Sequence, residues 1–174
     1  MTLLHTALLC EGQILIEKYK LKKIKSPLKI YQNDDFLLLV SGIGKENTMN
    51  SLSFIFKNHP IHKAFNIGVA GCNDNGVKIG EIFCTNHSNL KEIPYRELLT
   101  VDTPQKEILK RQYLFDMEGK YFLEVVQKYL QDEDIYIFKV VSDHLDNLTL
   151  EKDFVKKLIQ NRLKDLETYL FPIF

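Results

Sequence analysis

Three carboxylates in this sequence stand where polar chemistry would be easiest to do. Asp143 ends the apolar stretch IYIFKVVSD. Desolvation at such a place favours the neutral carboxyl, which could then donate a proton near neutrality. The same position equally suits a turn cap, and Asp146, three residues on, could share either job. Glu118 lies in LFDMEGKYF at the start of a helical pattern, where it could bind a ligand or merely complement the helix dipole. Met117 beside it reads as core or as a ligand contact. Glu11 directly follows the first apolar stretch, either at an active edge or as a first-turn helix charge. Carboxylates at three separate strand ends suit glycoside-type chemistry: one acid protonates the leaving group, and the others orient a sugar and a water.

Other constellations are poorer. His59 and His62 are split by Pro60, and no further ligands at zinc spacing accompany them. His5 reads as a satisfied interior histidine. No G-x-S-x-G elbow or Cys-His pair stands out. SGIGK is neither a P-loop nor G-x-G-x-x-G, because Asn47 takes the last glycine position. No metal or cofactor is implied.

The elements that must position these residues alternate. TLLHTALL (2–9), LKIYQ, FLLLVSGIG, AFNIGVAG, GEIFCTN (80–86), ELLTVD (97–102) and IYIFKVVSD read as strands. Helical spacing runs from Glu11 into a solvated basic end, KLKKIK, then over Lys45–Lys57, 117–130 and one long stretch, 149–170. Such alternation predicts an α/β domain with a largely parallel sheet covered on both faces, and ligands at the carboxyl ends of its strands. Five of the eight glycines, at 42, 44, 68, 71 and 76, fall in two strand-exit segments, where backbone can approach a sugar or anion or turn tightly.

Composition bounds the partners. The chain has 174 residues, 45% hydrophobic and 26% charged, which suits a single domain over 1–174. Lysine plus arginine balance aspartate plus glutamate at 23 each, which removes the footprint of a dedicated nucleic-acid binder and argues against a membrane surface. No apolar run is long enough for a bilayer, and the apolar start lacks a basic flank and cleavage site. Cys10, Cys72 and Cys84 show no CxxC spacing and read as buried thiols in a reducing, cytoplasmic setting.

Five segments together resemble the nucleoside phosphorylase and nucleosidase superfamily, most closely its methylthioadenosine/S-adenosylhomocysteine nucleosidase branch. They are ALLCEGQIL (7–15), VSGIGKENTMNSL (40–52), NIGVAGCNDNGVKIGEIF (66–83), LFDMEGKYF (114–122) and VVSDHLDN (140–147), in the family's order and across residues 3–165. The resemblance implies a three-layer α/β fold, a central twisted mixed sheet flanked by helices, and a homodimer as a possible assembly. It implies a small-molecule purine nucleoside as ligand. Asp143 of Ser142-Asp143 would protonate purine N7, Glu118 would hold the ribose hydroxyls over Met117, and Glu11 would position the water. Ser41 and Gly42 would lie by the ribose and the water or phosphate, and Val69-Ala70-Gly71 beside ribose and base. Glu46 and CNDNG depart from the family pattern, and the chain is shortened between Ile82 and Asp116, with TVDTP a loose match to a base-reading segment.

Phosphorolytic relatives hold phosphate with arginines near the first glycine loops. Here the arginines are Arg96, Arg111 and Arg162, and Lys45 is the one cation of SGIGK. A dianion wants bidentate donors, so water is the expected nucleophile. A phosphorylase or a catalytically degenerate nucleoside binder are the alternatives.

Overall fold

The computed structural model describes residues 1–103, 111–146 and 149–171. Pro104 of TVDTP and Asn147 lie outside the described residues. The centre of the sheet is built from the most apolar stretches. β1 (Thr2–Thr6) runs parallel to both β4 (Phe36–Val40) and β5 (Lys63–Cys72), and β5 runs parallel to β9 (Ile135–Asp143). Strands buried on both faces read as continuous apolar runs, which is why these four were legible.

Helices cover both faces. On one side α1 (Leu9–Lys18), α4 (Lys152–Asn161) and α5 (Leu163–Leu170) pack Leu15, Leu158, Ile159 and Leu166 against Leu4, Leu38, Phe65 and Phe138. On the other, α2 (Lys45–Asn58) and α3 (Gly119–Val126) pack Leu52, Ile55 and Phe122 against Leu3, Leu37, Ala64 and Ile137. These are the expected three layers of an α/β fold. No described helix is long and apolar enough to cross a membrane.

Several expectations need correction. The sheet is mixed rather than largely parallel. β2 (Lys22–Lys23) and β3 (Lys29–Gln32) continue antiparallel from β4, β6 (Ile82–Cys84) runs antiparallel to β9, and β8 (Leu114–Asp116) antiparallel to the end of β5. β7 (Leu98–Thr100) pairs parallel with β8. The basic KLKKIK stretch is therefore not a helix end: Lys22 and Lys23 pair with Gln32 and Tyr31 on a lysine-bearing edge strand, a composition that discourages further pairing. The single helix over 149–170 is two. Arg162 leaves helical geometry (φ −106°, ψ 5°) and its Nε donates to the Gly80 carbonyl at 2.6 Å. Core positions Leu158, Leu163, Leu166 and Leu170 stay buried across the break, so the apolar period reads straight through it.

One irregularity makes room for a site. The β5–β9 register shifts between Ala70 and Gly71, and Gly71 and Cys72 then pair with Phe115 and Leu114 of β8. A bulge of this kind bends a strand and re-aims its neighbours. Past the shift Gly71 still pairs with Asp143 of β9, so the irregularity sits at the carboxyl ends of β5 and β9.

Candidate active site

A cavity of about 570 Å³ opens beside that register shift, within the usual range for small-molecule sites. Its wall includes Glu11, Glu118, Met117, Ala70, Gly71, Ser142 and Asp143. These residues come from four separate parts of the chain, which meet in one hollow. Ser41 and Gly42 stand beside it and do not line it; Ile43 does.

Glu11 enters the wall from the first turn of α1. Its Oε2 accepts hydrogen bonds from the amides of Ala7 (3.0 Å) and Leu8 (2.8 Å), so it caps the helix as a capping-box glutamate would. Its Oε1 reaches across to the Val69 amide at 3.0 Å. Glu11 thus caps α1 and lines the cavity at once. Gly68 permits this arrangement: a β-carbon there would lie 2.8 Å from Glu11 Oε1 and 3.4 Å from Lys139 Nζ.

Glu118 precedes α3, buried to 7% exposure, and its Oε1 accepts the Gly44 amide at 2.9 Å. The helix-capping work expected of it belongs to a neighbour. Asp116 Oδ2 accepts the Gly119 amide at 2.8 Å, and its Oδ1 accepts the Thr100 hydroxyl at 2.7 Å. Glu118 is left facing the cavity.

Asp143 ends β9. The Ser142 hydroxyl donates to its Oδ2 at 2.6 Å and the Leu145 amide to its Oδ1 at 2.9 Å. The second bond is an Asx turn, so Asp143 closes a turn and lines the cavity. Leu145 takes a left-handed conformation (φ 63°), unusual for its type, and folds over Gly71. A β-carbon on Gly71 would come within 2.6 Å of the Leu145 side chain and 3.1 Å of Asp143 Oδ1. Asp146 lies next in this turn, outside the wall.

Behind the carboxylates stands Lys139, which sequence reasoning missed. It is 2% exposed, in the middle of β9, and its Nζ meets Asp116 Oδ2 at 2.8 Å. Burial alone would lower its pKa; Asp116, Glu118 and Glu11 outweigh that and hold the ammonium above its ordinary value. Reciprocally, burial pushes Glu11 up, while Lys139 and three backbone amides pull against it. Glu118 is also raised, first by burial, with Lys139 opposing and Asp116 and Glu11 reinforcing. One buried ammonium thus serves three carboxylates, two of which hold protons more tightly than an exposed glutamate. A signal was present: a lone lysine inside IYIFKVV needs a buried partner, since an unpaired buried charge is very costly.

No lysine or arginine lines the cavity among the described residues. Arg96 is paired with Asp74 at 3.0 Å, Arg162 is bonded to Gly80, and Lys45 lies over the Tyr121 ring. Much of the remaining wall is apolar: Leu8, Ile43, Val101, Phe115 and Leu150.

No family model matches the sequence, and no curated protein matches it in sequence. Solved structures do match in fold. The 5′-methylthioadenosine/S-adenosylhomocysteine nucleosidase of Helicobacter pylori superposes with a TM-score of 0.80 at 15% identity, over 99% of this chain and 98% of that one. The futalosine hydrolase of the same organism gives 0.79 at 14% identity, over 99% and 97%. The MTA/SAH nucleosidase of Streptococcus pneumoniae, solved with 8-aminoadenine, gives 0.81 at 12% identity, over 99% of each chain. The chain therefore shares the fold of these two nucleosidases and of the futalosine hydrolase.

Proposed function

We propose that this protein hydrolyses the N-glycosidic bond of a purine nucleoside of the methylthioadenosine/S-adenosylhomocysteine kind. The observation that carries the reading is the convergence of Asp143, Glu118 and Glu11 on one cavity whose described wall holds no cation.

The chemistry follows from the placement. Asp143, in its neutral form, gives its proton to purine N7 as the C1′–N9 bond breaks, so the base leaves without negative charge. Glu118 accepts hydrogen bonds from the ribose hydroxyls, and its charge favours the positive character that develops on the sugar. Met117 supplies an apolar floor beneath the pentose. Glu11 takes a proton from the water that attacks C1′; its raised pKa makes it a better acceptor than an ordinary glutamate. Lys139 keeps the site from accumulating unpaired negative charge. The apolar wall formed by Leu8, Ile43 and Leu150 suits a thioether 5′ substituent.

Water is favoured over phosphate by electrostatics. A dianion entering here would meet Glu11, Asp116, Glu118 and Asp143 and no lining cation among the described residues. Turnover should therefore be unchanged between phosphate-free and phosphate buffers. A panel of purine nucleosides followed for released base tests the activity itself. Release from methylthioadenosine or a relative supports the reading; a panel left intact rejects it.

Gly68→Ala provides a geometric check. The new methyl must push Glu11 aside, and a displacement of about 1 Å in a catalytic group costs on the order of 10²-fold in rate. Circular dichroism should stay native while kcat/KM falls; an unaffected rate would remove Glu11 from the mechanism.

A further inference from the structure

Three polar side chains outside the cavity wall, His5, Asn66 and Ser41, have no part in the chemistry above. His5 is fully buried in β1, its ring stacked on Phe122 with centroids 5.4 Å apart. Its Nδ1 faces Asn66 Nδ2 at 2.6 Å and its Nε2 faces Ser41 Oγ at 2.8 Å. A histidine used only for packing would be served as well by leucine, without the cost of burying a polar ring. Burial first, and then the charge of Lys139, lower its pKa to about 3, so the ring is neutral under ordinary conditions.

Neutrality gives the bonds a direction. A neutral imidazole carries one N–H. The Gly42 carbonyl only accepts, so the Ser41 hydroxyl 2.8 Å from it donates there and accepts from Nε2, which carries the ring proton and leaves Nδ1 to accept from Asn66. The chain runs Asn66 (β5), His5 (β1), Ser41 (after β4), Gly42.

Its end point is the loop that touches both ligand-facing features. Gly42 and Gly44 take φ of 91° and 89°, a left-handed geometry few other residues would tolerate. The backbone of Ser41 and Gly42 is tied to Thr6 and Ala7. Beyond those ties the Gly42 carbonyl is held by Ser41, and the next two residues do the work: Ile43 lines the cavity and the Gly44 amide holds Glu118.

We propose that Asn66, His5 and Ser41 are positioning residues for Glu118, acting through the 41–44 loop. This rests on the nucleosidase reading, in which Glu118 binds the ribose hydroxyls. Ser41 and Gly42 then contribute to the site without lining it. The relay belongs to the sheet, so the loop is set before substrate arrives, and no substrate energy is spent ordering it.

The test uses Ser41→Ala, at a partly buried position, with Ser41→Thr to restore the hydroxyl. Each is assayed on a purine ribonucleoside and on the same nucleoside lacking both ribose hydroxyls. Ser41→Ala should lower kcat/KM for the ribonucleoside roughly 3- to 10-fold, the size of one hydrogen bond. Ser41→Thr should recover most of it. The analogue, which cannot engage Glu118, should be turned over equally by all three proteins. Equal losses on both substrates would mean a general structural defect, and no loss on either would mean an idle network; both overturn the proposal. An inert wild type would reject the nucleosidase reading instead. The relay would then be decided by the Gly44 amide resonance, which must move in Ser41→Ala and whose constancy overturns it.

Discussion

Asp143→Asn should all but abolish release of base while leaving the fold intact. The replacement is nearly isosteric. Its Oδ1 can still accept the Leu145 amide, and its Nδ2 can donate to the Ser142 hydroxyl, which also lies 3.2 Å from the Ala70 carbonyl. What the amide lacks is a transferable proton for purine N7. General acid catalysis contributes about 10²–10⁴-fold, and that is the loss expected in kcat. Because the turn around Leu145 is preserved, Tm should change little. Nucleoside affinity, measured by calorimetry, should survive. A variant retaining full kcat would remove Asp143 as the acid.

Lys139→Met should be the most destabilising single change in the site, and it should also shift the pH profile. The substitution leaves Asp116 buried at 6% exposure without its ammonium partner, beside Glu11 and Glu118. Breaking one side of a buried ion pair costs about 3–5 kcal/mol. For a chain of this size that corresponds to a Tm fall on the order of 10 °C. The pH effect has a definite sign. Glu11 works as a base only when deprotonated, so activity falls as pH drops through its pKa. Burial already raises that pKa, and Lys139 is the largest influence opposing the rise. Removing Lys139 should move the acid limb of kcat/KM to higher pH. Lys139→Arg should restore most of both properties. A limb that stays in place would mean that Lys139 does not set the charge state of Glu11.

Which parts were legible in the sequence follows from how strongly each residue's neighbours constrain it. The buried parallel strands announced themselves, because burial on two faces favours apolar residues, as in FLLLV and, Lys139 apart, IYIFKVV. Short strands carried no such mark. Two lysines at 22–23 and three residues at 114–116 are too few to show alternation, and their pairing depends on partners distant in sequence. The break at Arg162 was hidden because the burial period continues through it.

The convergence of three carboxylates on one cavity was legible by position. Glu11 follows β1 and Asp143 ends β9, and a sheet of this topology gathers such ends into one place; Glu118 was singled out at the start of a helical pattern. Their double roles were not legible. Glu11 caps α1 and faces the cavity, and Asp143 closes an Asx turn and faces the cavity, so structural and chemical readings were not exclusive. Glu118 was freed by a neighbour, Asp116, whose capping bonds depend on Thr100 and Lys139 from other strands. Lys139 itself could have been found, since an ammonium within a wholly apolar strand demands a carboxylate. Ser41 and Gly42 were drawn to the site by the glycine loop, and in the fold the residue of that loop that lines the cavity is Ile43.

The most direct test is product analysis of the wild-type protein with methylthioadenosine in phosphate buffer. The account predicts free adenine and an unphosphorylated pentose in equal amounts, at the same rate as without phosphate. A pentose 1-phosphate, or nucleoside recovered intact, would contradict it.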